Sequence, residues 1–485
     1  MEAGTQVQEN TRSYLQYRKS RRKHWDFISC KRDNWESRGD YYHHRISEIY
    51  QFLIASGQRV LEIGCGTGDL LAALRPGFGV GIDFSEEMIR RAQQRYTHLS
   101  FILCDAHELD LDEKFDVIIL SDIVNDLWDV QTMLNQLHRL CTPETRIIIN
   151  TYSRVWELPL TLVQRLDLAT PLLPQNWLTV EDITNMLHLA GFEDIRHWRE
   201  ILWPIKTPMV SFFFNRIVVK LWPFSYLALT NFLIARRRPE KRWKRKKPIV
   251  SVVVPTRNEA GNIEEIFNRT PEMGGGTELI FVDGNSSDNT YETIEKAIAD
   301  HPERRCKLFR QTGIGKGDAV RLGFQNASGE ILMILDADMT VPPEDLPRFY
   351  KAICSGEGEF INGVRLVYPM EKQAMRYMNF LGNKFFSLAF SWLLGQPIKD
   401  TLCGTKVLSR ENYEKIARNR SYFGDFDPFG DFDLLFGSAK MNMKIVEMPI
   451  RYRERQYGET NINRWRHGII LLRMVFFALK RIKFF

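Results

Sequence analysis

The sequence predicts an α/β protein with two domains, and three observations support this prediction. The chain has 485 residues, roughly three times a typical domain length of about 150 residues. Short β-branched runs alternate with helical stretches in both halves, which is typical of parallel sheets with crossover helices. A run of basic residues at 236–247 separates the halves. We therefore expect one domain at 1–238, a basic linker at 239–247 and a second domain at 248–485.

Each half contains a series of candidate strands. In the first half they are RVLEIGCG, GVGID, LSFILCD, FDVIILSD and TRIIINTY. In the second half they are IVSVVVPT, ELIFVDG, CKLFRQ, EILMILDAD and EFINGVR. No period of 20 to 50 residues repeats within either half, so a repeat architecture is not predicted.

The balance of basic and acidic residues indicates which classes of partner the chain can bind. The 66 Lys and Arg exceed the 60 Asp and Glu only slightly, so the chain lacks the cationic excess of a dedicated nucleic-acid protein and no specific nucleic acid is expected. The linker RRRPEKRWKRKK is interpreted as a solvated hinge or as a segment attracted to anionic lipid; a non-specific nucleic-acid contact is the weakest alternative.

Cysteine usage and hydropathy indicate the compartment. The seven cysteines are far apart and form no CxxC, which argues against a disulfide framework and a zinc cage. The first residues have no apolar core for a signal peptide, and no uncharged stretch reaches the roughly 18 residues of a spanning helix. We expect a cytoplasmic protein, peripheral at the cytoplasmic face of the membrane.

The first motif joins a strand to a helix through alternating glycines. Gly64, Gly66 and Gly68 follow the first strand, Glu62 precedes them, and Asp83 ends the next strand. Glycine lets the backbone approach a ligand closely, and a carboxylate at the end of the second strand can accept the hydroxyls of a ribose. A dinucleotide domain is the alternative, but its GxGxxG fingerprint differs from the GxGxG found here.

On these residues the chain resembles the class I S-adenosylmethionine-dependent methyltransferases over roughly residues 40–238. The resemblance implies a Rossmann-like fold, S-adenosylmethionine as cofactor, and GFEDIRHWREI and TNFLIARRR as closing strands. It also implies that the glycine loop packs on the amino-acid part of the cofactor, that Asp83 binds the ribose and that Asp105 and Ala106 contact the adenine. Ser121 and Asp122 would end the fourth strand beside the methyl group.

The methyl acceptor is only partly indicated. The Asn/Asp-Pro-Pro-Tyr signature of amino methylation is absent after the fourth strand, which favours oxygen or carbon as the acceptor atom. A hydroxyl acceptor needs a base, and the candidates by location, each also explicable as a cap or surface residue, are Asp122, Asp126, Asp129, His43, His44 and His107.

The apolar insertion KTPMVSFFFNRIVVKLWPFSYLAL has three interpretations: a substrate lid, a membrane-dipping segment, or packing against the second domain.

The second motif places two carboxylates at the end of a strand. Asp336 and Asp338 follow EILMIL on the same side of the extended chain, where they can hold Mg²⁺ or Mn²⁺. Such an ion neutralises a diphosphate leaving group. The companion segments are VPTRNE at 254–259, FVDGNSSDNT around Asp283, GKG around Lys316, and NASGE at 326–330.

In this order the segments resemble the GT-A glycosyltransferases of family 2, from about residue 248 to 485. The resemblance implies inverting transfer from a nucleotide-sugar donor. Pro255, Glu259 and Asp283 would contact the nucleoside, with Lys316 and Asp336 also in the substrate site and Asp338 in a catalytic role beside the metal. Gly284 stands where the family commonly has a second aspartate, which leaves the base selectivity open.

The downstream half is most similar to the polyprenyl-phosphate glycosyltransferases, through GVRLV, DTLCGTKVLSR and RERQYGETN. That similarity implies that Arg365 and Arg455 hold phosphates of the donor or the lipid acceptor. Asp431 and Asp433 stand where many family members carry the base for a hydroxyl acceptor; with a lipid phosphate they would only position other groups.

The last residues predict a helix at the membrane interface. In RWRHGIILLRMVFFALKRIKFF, Arg466, Arg473 and Lys480 recur every seven residues within apolar surface. Residues 376–395 could lie beside this helix. A buried helix pair is the alternative interpretation.

Together the motifs predict a bifunctional enzyme that transfers a sugar to a lipid-phosphate or glycan acceptor and methylates a product of the same pathway, with oxygen as the favoured acceptor atom. The first alternative is a glycosyltransferase whose N-terminal half binds S-adenosylmethionine for regulation or docking. A non-enzymatic scaffold and a nucleic-acid methyltransferase are weaker alternatives.

Overall fold

The structure is a computed structural model. It describes residues 2–31, 36–166, 170–239, 243, 247–365, 367, 377–420, 432–453, 457 and 464–484, with backbone only at 2–11, 31, 36–40, 377–381 and 464–467. The chain divides into two compact units, Met1–Arg238 and Pro239–Lys483. Each unit is described separately below. Within 239–247, the structure describes Pro239, Trp243 and Lys247.

The first unit is built on a sheet of seven described strands in the order β3-β2-β1-β4-β5-β7-β6. The strands from β3 to β5 in this order pair in parallel, whereas β7 runs antiparallel to both β5 and β6. The strands are β1 Arg59–Ile63, β2 Phe78–Asp83, β3 Ser100–Leu103, β4 Phe115–Ser121, β5 Cys141–Tyr152, β6 Phe192–Glu200 and β7 Thr230–Arg237. All five candidate strands and both closing strands are therefore present.

Helices flank this sheet. They are α1 Glu2–Lys31, α2 Glu36–Leu53, α3 Asp69–Leu74, α4 Glu86–Arg95, α5 Val130–Gln136, α6 Glu157–Arg165, α7 Val180–Leu189 and α8 Val210–Arg216. The strands are apolar on both sides, and two buried clusters form as a result, one with Leu61 and Ile118 and the other with Val60 and Ile119. Burial on both faces is expected for a parallel sheet covered by helices.

The second unit has its own sheet of seven described strands in the order β10-β9-β8-β11-β13-β12-β14. The strands are β8 Val250–Thr256, β9 Thr277–Asp283, β10 Arg305–Arg310, β11 Ile331–Ile334, β12 Phe360–Val364, β13 Lys406–Ser409 and β14 Ile445–Pro449. β13 runs antiparallel to its neighbours β11 and β12, so the sheet is mixed. The sequence did not predict β13 or β14.

The helices of the second unit are α9 Ile263–Arg269, α10 Thr290–Asp300, α11 Lys316–Asn326, α12 Leu346–Ser355, α13 Tyr377–Leu394, α14 Arg410–Arg418, α15 Phe432–Lys440 and α16 Arg464–Ala478. The prediction of two Rossmann-like α/β domains with helices at the C-terminal end is confirmed.

Helices α13 and α16 pack against each other, each with one buried and one exposed apolar face. Phe390 and Met474 are buried in a common core cluster. The exposed side chains share one spacing, at Phe385, Leu388 and Trp392 on α13 and at Ile469, Leu472 and Phe476 on α16. None of the helices within the described ranges is both long enough and apolar enough to cross a membrane.

Candidate active sites

The first candidate site lies at the carboxyl edge of the first sheet. β1 pairs with β2 on one side and β4 on the other, and Ile63 aligns with both Ile82 and Leu120. Gly64, which follows β1, therefore lies at the same edge as Asp83 and Ser121, the last residues of β2 and β4. Ligands of open α/β sheets bind at this edge, where the strand order reverses.

The glycine loop is tied to the end of β2. The amide of Gly66, at a φ of 52°, donates to Asp83 Oδ2 at 3.0 Å, and the amide of Ser85 donates to Asp83 Oδ1 at 2.9 Å. Burial raises the pKa of Asp83 to about 6, although these two amide donors oppose the shift. A positive φ at this turn favours glycine. Asp83 is thus held in place with acceptor capacity remaining on both carboxylate oxygens.

Glu62 lies at the end of β1 beneath the loop and is almost fully buried. Burial raises the pKa of its carboxyl group well above the ordinary value. Its Oε2 atom is buried without a hydrogen-bond partner among the described residues. A buried acceptor of this kind is costly unless a ligand supplies a donor.

Asp105 receives four donors from the chain itself. The amide and ring Nδ1 of His107 contact Oδ1 at 3.0 and 2.8 Å, while the Tyr14 hydroxyl and Arg18 Nε contact Oδ2 at 3.2 and 3.0 Å. Its pKa is lowered, because the hydrogen bonds from His107 and the charge of Arg18 outweigh burial. Ala106 follows as a buried residue of the core. Helix α1 therefore covers the position expected to contact the adenine.

Asp122 follows β4 and is held by neutral donors. Tyr42 Oη donates to the carboxylate at 2.9 and 3.0 Å, and Asn150 Nδ2 donates to Oδ1 at 2.7 Å. Asn150 in turn accepts from Tyr50 Oη at 2.7 Å. Burial raises the pKa of Asp122 to about 7, against the opposing effect of its two donors. The φ of Asp122 is 55°, a strained value for a residue other than glycine.

The other candidate bases have structural partners. Trp25 Nε1 donates to Asp126 at 2.9 Å, and Arg21 also pairs with this carboxylate. Asp129 caps α5 by accepting from the amide of Thr132. His107 binds Asp105 as described, and His44 lies near Glu48 on the surface. The ring of His43 lies edge-on to that of Tyr42, at a centroid distance of 5.4 Å. The geometry therefore singles out Asp122.

The second candidate site lies at the carboxyl edge of the second sheet. β8 pairs in parallel with β9 and β11, and Thr256 aligns with Asp283. The amide of Leu335 donates to the carbonyl of Val253 at 3.0 Å, which extends the pairing to the start of the DxD segment. Pro255, Asp283 and Asp336 are thereby brought to one edge.

The carboxylate of Asp336 is surrounded by positive charge. Lys316, the first residue of α11, places its Nζ 2.6 Å from Asp336 Oδ1. The pKa of Asp336 is lowered, because Lys316, Lys406 and Arg365 outweigh the effect of burial. A Cβ atom on Gly404 would collide with the Asp336 carboxylate and with Lys316 Nζ, so a larger residue at this position would have to displace both groups.

Asp338 accepts from the amide and the hydroxyl of Thr340 at 3.1 and 2.8 Å. Asp283 accepts from the amide of Ser286 at 3.2 Å and from its hydroxyl at 2.5 Å. Glu259 is buried and accepts from Asn262 Nδ2 at 2.8 Å. Local turns thus hold each of these carboxylates in a defined direction.

Arg365 and Asp433 are both held in ion pairs. Arg365 Nε and Nη2 bind the two oxygens of Asp400 at 2.7 and 2.9 Å, and its pKa is raised well above the ordinary value because Asp400 outweighs burial. Asp433, at the start of α15, accepts from Arg420 Nε at 3.0 Å. Two predicted residues lie outside the described residues, Asp431 and Arg455.

The sequence did not single out several residues of these sites, namely Tyr14, Arg18, Tyr42, Asn150, Asp400 and Lys406. Asp400 and Lys406 lie inside the recognised segment DTLCGTKVLSR, and Asn150 comes near the end of a predicted strand. Tyr42 lies 80 positions before its partner, so no local pattern links the two.

Two family models match separate parts of the chain. The family model "Methyltransferase domain" matches residues 54–191, and "Glycosyl transferase family 2" matches residues 251–417. A dolichol-phosphate mannosyltransferase of Pyrococcus furiosus is 30% identical over 220 residues, which cover 44% of this chain and 59% of that protein. The chain thus spans less than two thirds of that relative's length.

Two solved structures also show similarity. The magnesium protoporphyrin IX methyltransferase of Synechocystis PCC 6803, solved with bound SAH, has 21% identity and a TM-score of 0.29, covering 40% of this chain and 83% of that one. The glucosyl-3-phosphoglycerate synthase of Mycobacterium tuberculosis, solved with Mn2+ and UDP, has 19% identity and a TM-score of 0.36, covering 48% and 80%.

The two sheets, each with carboxylates at its carboxyl edge, define a two-domain α/β protein. The chain carries a methyltransferase domain followed by a family 2 glycosyltransferase domain.

Proposed function

We propose that the second unit transfers a sugar from a nucleotide-sugar to a lipid phosphate, and that the first unit methylates a hydroxyl of a product in the same pathway. The proposal for the second unit rests on Asp336 and Asp338 at the strand end beside Lys316. The similarity to a dolichol-phosphate mannosyltransferase supports a polyprenyl phosphate as the acceptor.

The residues at the second site suit a metal-assisted transfer. No third His, Cys, Asp or Glu joins the two aspartates to form a metal-binding group in the described part of the chain. Their oxygen donors match Mg²⁺ or Mn²⁺, whose remaining ligands would be diphosphate oxygens and water. A bound divalent ion would neutralise the diphosphate and stabilise it as a leaving group. Lys316 adds a second positive charge on the same side.

The lipid-phosphate oxygen would attack the sugar C1 as the bond from C1 to the diphosphate oxygen breaks. This acceptor is already anionic, so no base is needed. The pairing of Asp433 with Arg420 supports a positioning role for Asp433. A glycan acceptor would instead require a carboxylate that can accept a proton.

The first test is the release of nucleoside diphosphate from UDP- and GDP-sugars with polyprenyl phosphate and Mg²⁺ or Mn²⁺. We expect metal-dependent turnover that falls by about 10³-fold or more in Asp338→Ala. Asp300→Ala, an exposed carboxylate at the end of α10, is the matched control. Full turnover in Asp338→Ala would contradict the proposal, and turnover that requires a hydroxyl acceptor would move the acceptor to a glycan.

The proposal for the first unit rests on Asp122 and its neutral donors. S-adenosylmethionine, when bound, would supply an electrophilic methyl group. Asp83 and the glycine loop fit its ribose and amino-acid parts, and the buried Glu62 Oε2 offers an acceptor for its ammonium group. Asp122, with a pKa of about 7, can take the proton of a hydroxyl acceptor near neutral pH as the methyl arrives.

The matching experiment follows labelled methyl from S-adenosylmethionine into the sugar-lipid product. We expect methyl incorporation only when the glycosyltransferase unit is active. In Asp122→Asn the rate of methyl transfer should fall by about 10² to 10³-fold, while S-adenosylhomocysteine (SAH) should still bind. Asp112→Asn, an exposed carboxyl group in the loop between β3 and β4, is the control. Incorporation without any sugar transfer would contradict the shared pathway.

One alternative is that the first unit binds S-adenosylmethionine for regulation or docking and does not transfer its methyl group. Calorimetric binding of SAH without methyl transfer to any glycolipid would support this alternative over methylation.

A further inference from the structure

The segment between β6 and β7 forms an ordered layer with many exposed apolar side chains. It contains α8 and the short turns Val218–Lys220 and Phe224–Leu227, which pack against one another and against β6. The fully buried Asn215 side chain fixes the start of this segment. Its Oδ1 accepts from the amides of Leu202 and Trp203 at 2.7 Å, and its Nδ2 donates to the carbonyl of Trp203 at 2.7 Å.

Many large apolar side chains of this layer are exposed. Met209 and Trp222 are 83% and 81% exposed. The other large exposed apolar residues of the segment are Trp203, Ile205, Val210, Phe212, Phe213, Leu221, Phe224, Tyr226 and Leu227. Single exposed apolar residues are normal on a protein surface, but a concentration of aromatic residues within one layer indicates an interaction surface.

The charged residues of this segment indicate which kind of surface it can bind. Residues 201–239 contain no Asp or Glu. Two of the three basic residues at 202–229 are paired within the unit, Arg216 with Glu48 and the buried Lys220 with Glu200. Lys206 is exposed on the layer. Arg199 lies 4.2 Å from the centroid of the Tyr226 ring. Trp, Phe and Tyr with Lys and Arg, and without acidic groups, match the headgroup boundary of an anionic bilayer.

We propose that this layer, residues 202–229, docks the methyltransferase unit on an anionic lipid bilayer. The inserted groups would be the exposed aromatic and aliphatic side chains, with Lys206 and Arg199 at the headgroups. The proposal does not depend on either catalytic assignment, because vesicle binding requires neither a nucleotide-sugar nor S-adenosylmethionine.

The test is co-sedimentation of the full chain with vesicles of phosphatidylcholine and phosphatidylglycerol. The background carries Leu472→Ser and Phe476→Ser, which weakens any contact made through α16. We expect Phe213→Ser with Trp222→Ser to lower the partition coefficient by about tenfold or more, since each removes an apolar group from the interface. Leu189→Ser, a 71% exposed residue at the end of α7, should have no effect.

A second variant guards against misfolding of the first. Met209→Asp changes one highly exposed side chain and adds a negative charge, so it should reduce binding to the anionic vesicles as strongly. Equal binding by all variants, or no binding by the background protein, would overturn the proposal. A change of oligomeric state in the insertion variants, measured by light scattering without lipid, would assign the layer to a second copy of the chain instead.

Discussion

At the edge of the first sheet, Asp122 is held by neutral donors from Tyr42 and Asn150, whereas at the edge of the second sheet Asp336 lies against the ammonium group of Lys316. Burial raises the pKa of Asp122 to about 7, while nearby cations outweigh burial and lower the pKa of Asp336. The same side chain at equivalent strand ends is therefore prepared for different tasks. Asp122 can exchange a proton near neutral pH, and Asp336 stays anionic.

The difference follows the charge of the ligand that we propose for each site. A sulfonium cofactor brings its own positive charge, so carboxylates without cationic partners suit it. A diphosphate brings negative charge, and a site for it needs metal ions and basic side chains. The same difference is seen at two further carboxylates. Glu62 Oε2 in the first unit is buried without a hydrogen-bond partner among the described residues, whereas Asp400 in the second unit is paired with Arg365.

The largest expected effect tests the anionic state of Asp336. Asp336→Asn keeps the shape of the side chain but removes the charge that binds a cation, so kcat/KM for sugar transfer should fall by about 10³-fold. SAH binding to the first unit, measured by calorimetry, should not change. Sugar transfer at the wild-type level would mean that Lys316 alone neutralises the diphosphate, and the contrast between the two sites would lose its basis.

The positions of these carboxylates could be predicted from the sequence, because the residues concerned lie in local motifs. Glu62, Asp83 and Asp336 each end or follow an apolar run, and parallel pairing brings strand ends together. β13 was missed because it has only two apolar residues, Val407 and Leu408, although Lys406 and Ser409 at its ends are also buried. β14 was missed because it contains Glu447 and Pro449.

The environment of each carboxylate could not be predicted. Tyr42 reaches Asp122 from α2, and Tyr14 reaches Asp105 across 91 positions. Such contacts depend on how helices pack on the sheet, and no spacing along the chain encodes them. The sequence therefore located the carboxylates but not their protonation behaviour, which the neighbouring groups decide.

A smaller effect is expected at Tyr42, which positions Asp122 and stabilises its charged form. Tyr42→Phe removes a donor to the carboxylate, so the pKa of Asp122 should rise further, by about one unit. The pH dependence of methyl transfer should then move to higher pH, with reduced activity at neutral pH and recovery at alkaline pH.

Tyr41→Phe is the control, because the Tyr41 hydroxyl accepts from Asn215 instead. An unshifted pH profile of methyl transfer in Tyr42→Phe would mean that Asp122 is not the base. The raised pKa of Asp122 would then have no part in catalysis.

The smallest expected effect concerns Asp105, which has a cationic partner in Arg18. Its two oxygens offer about four lone-pair positions, and two of its four donors, Tyr14 and Arg18, come from α1. An adenine amino group would have to displace one of them. Tyr14→Phe removes the weaker competitor, so SAH affinity should increase by up to about tenfold. Asp105→Ala should weaken SAH binding in the same calorimetric assay. A loss of affinity in Tyr14→Phe would mean that α1 contributes to the cofactor site and does not compete with the adenine for Asp105.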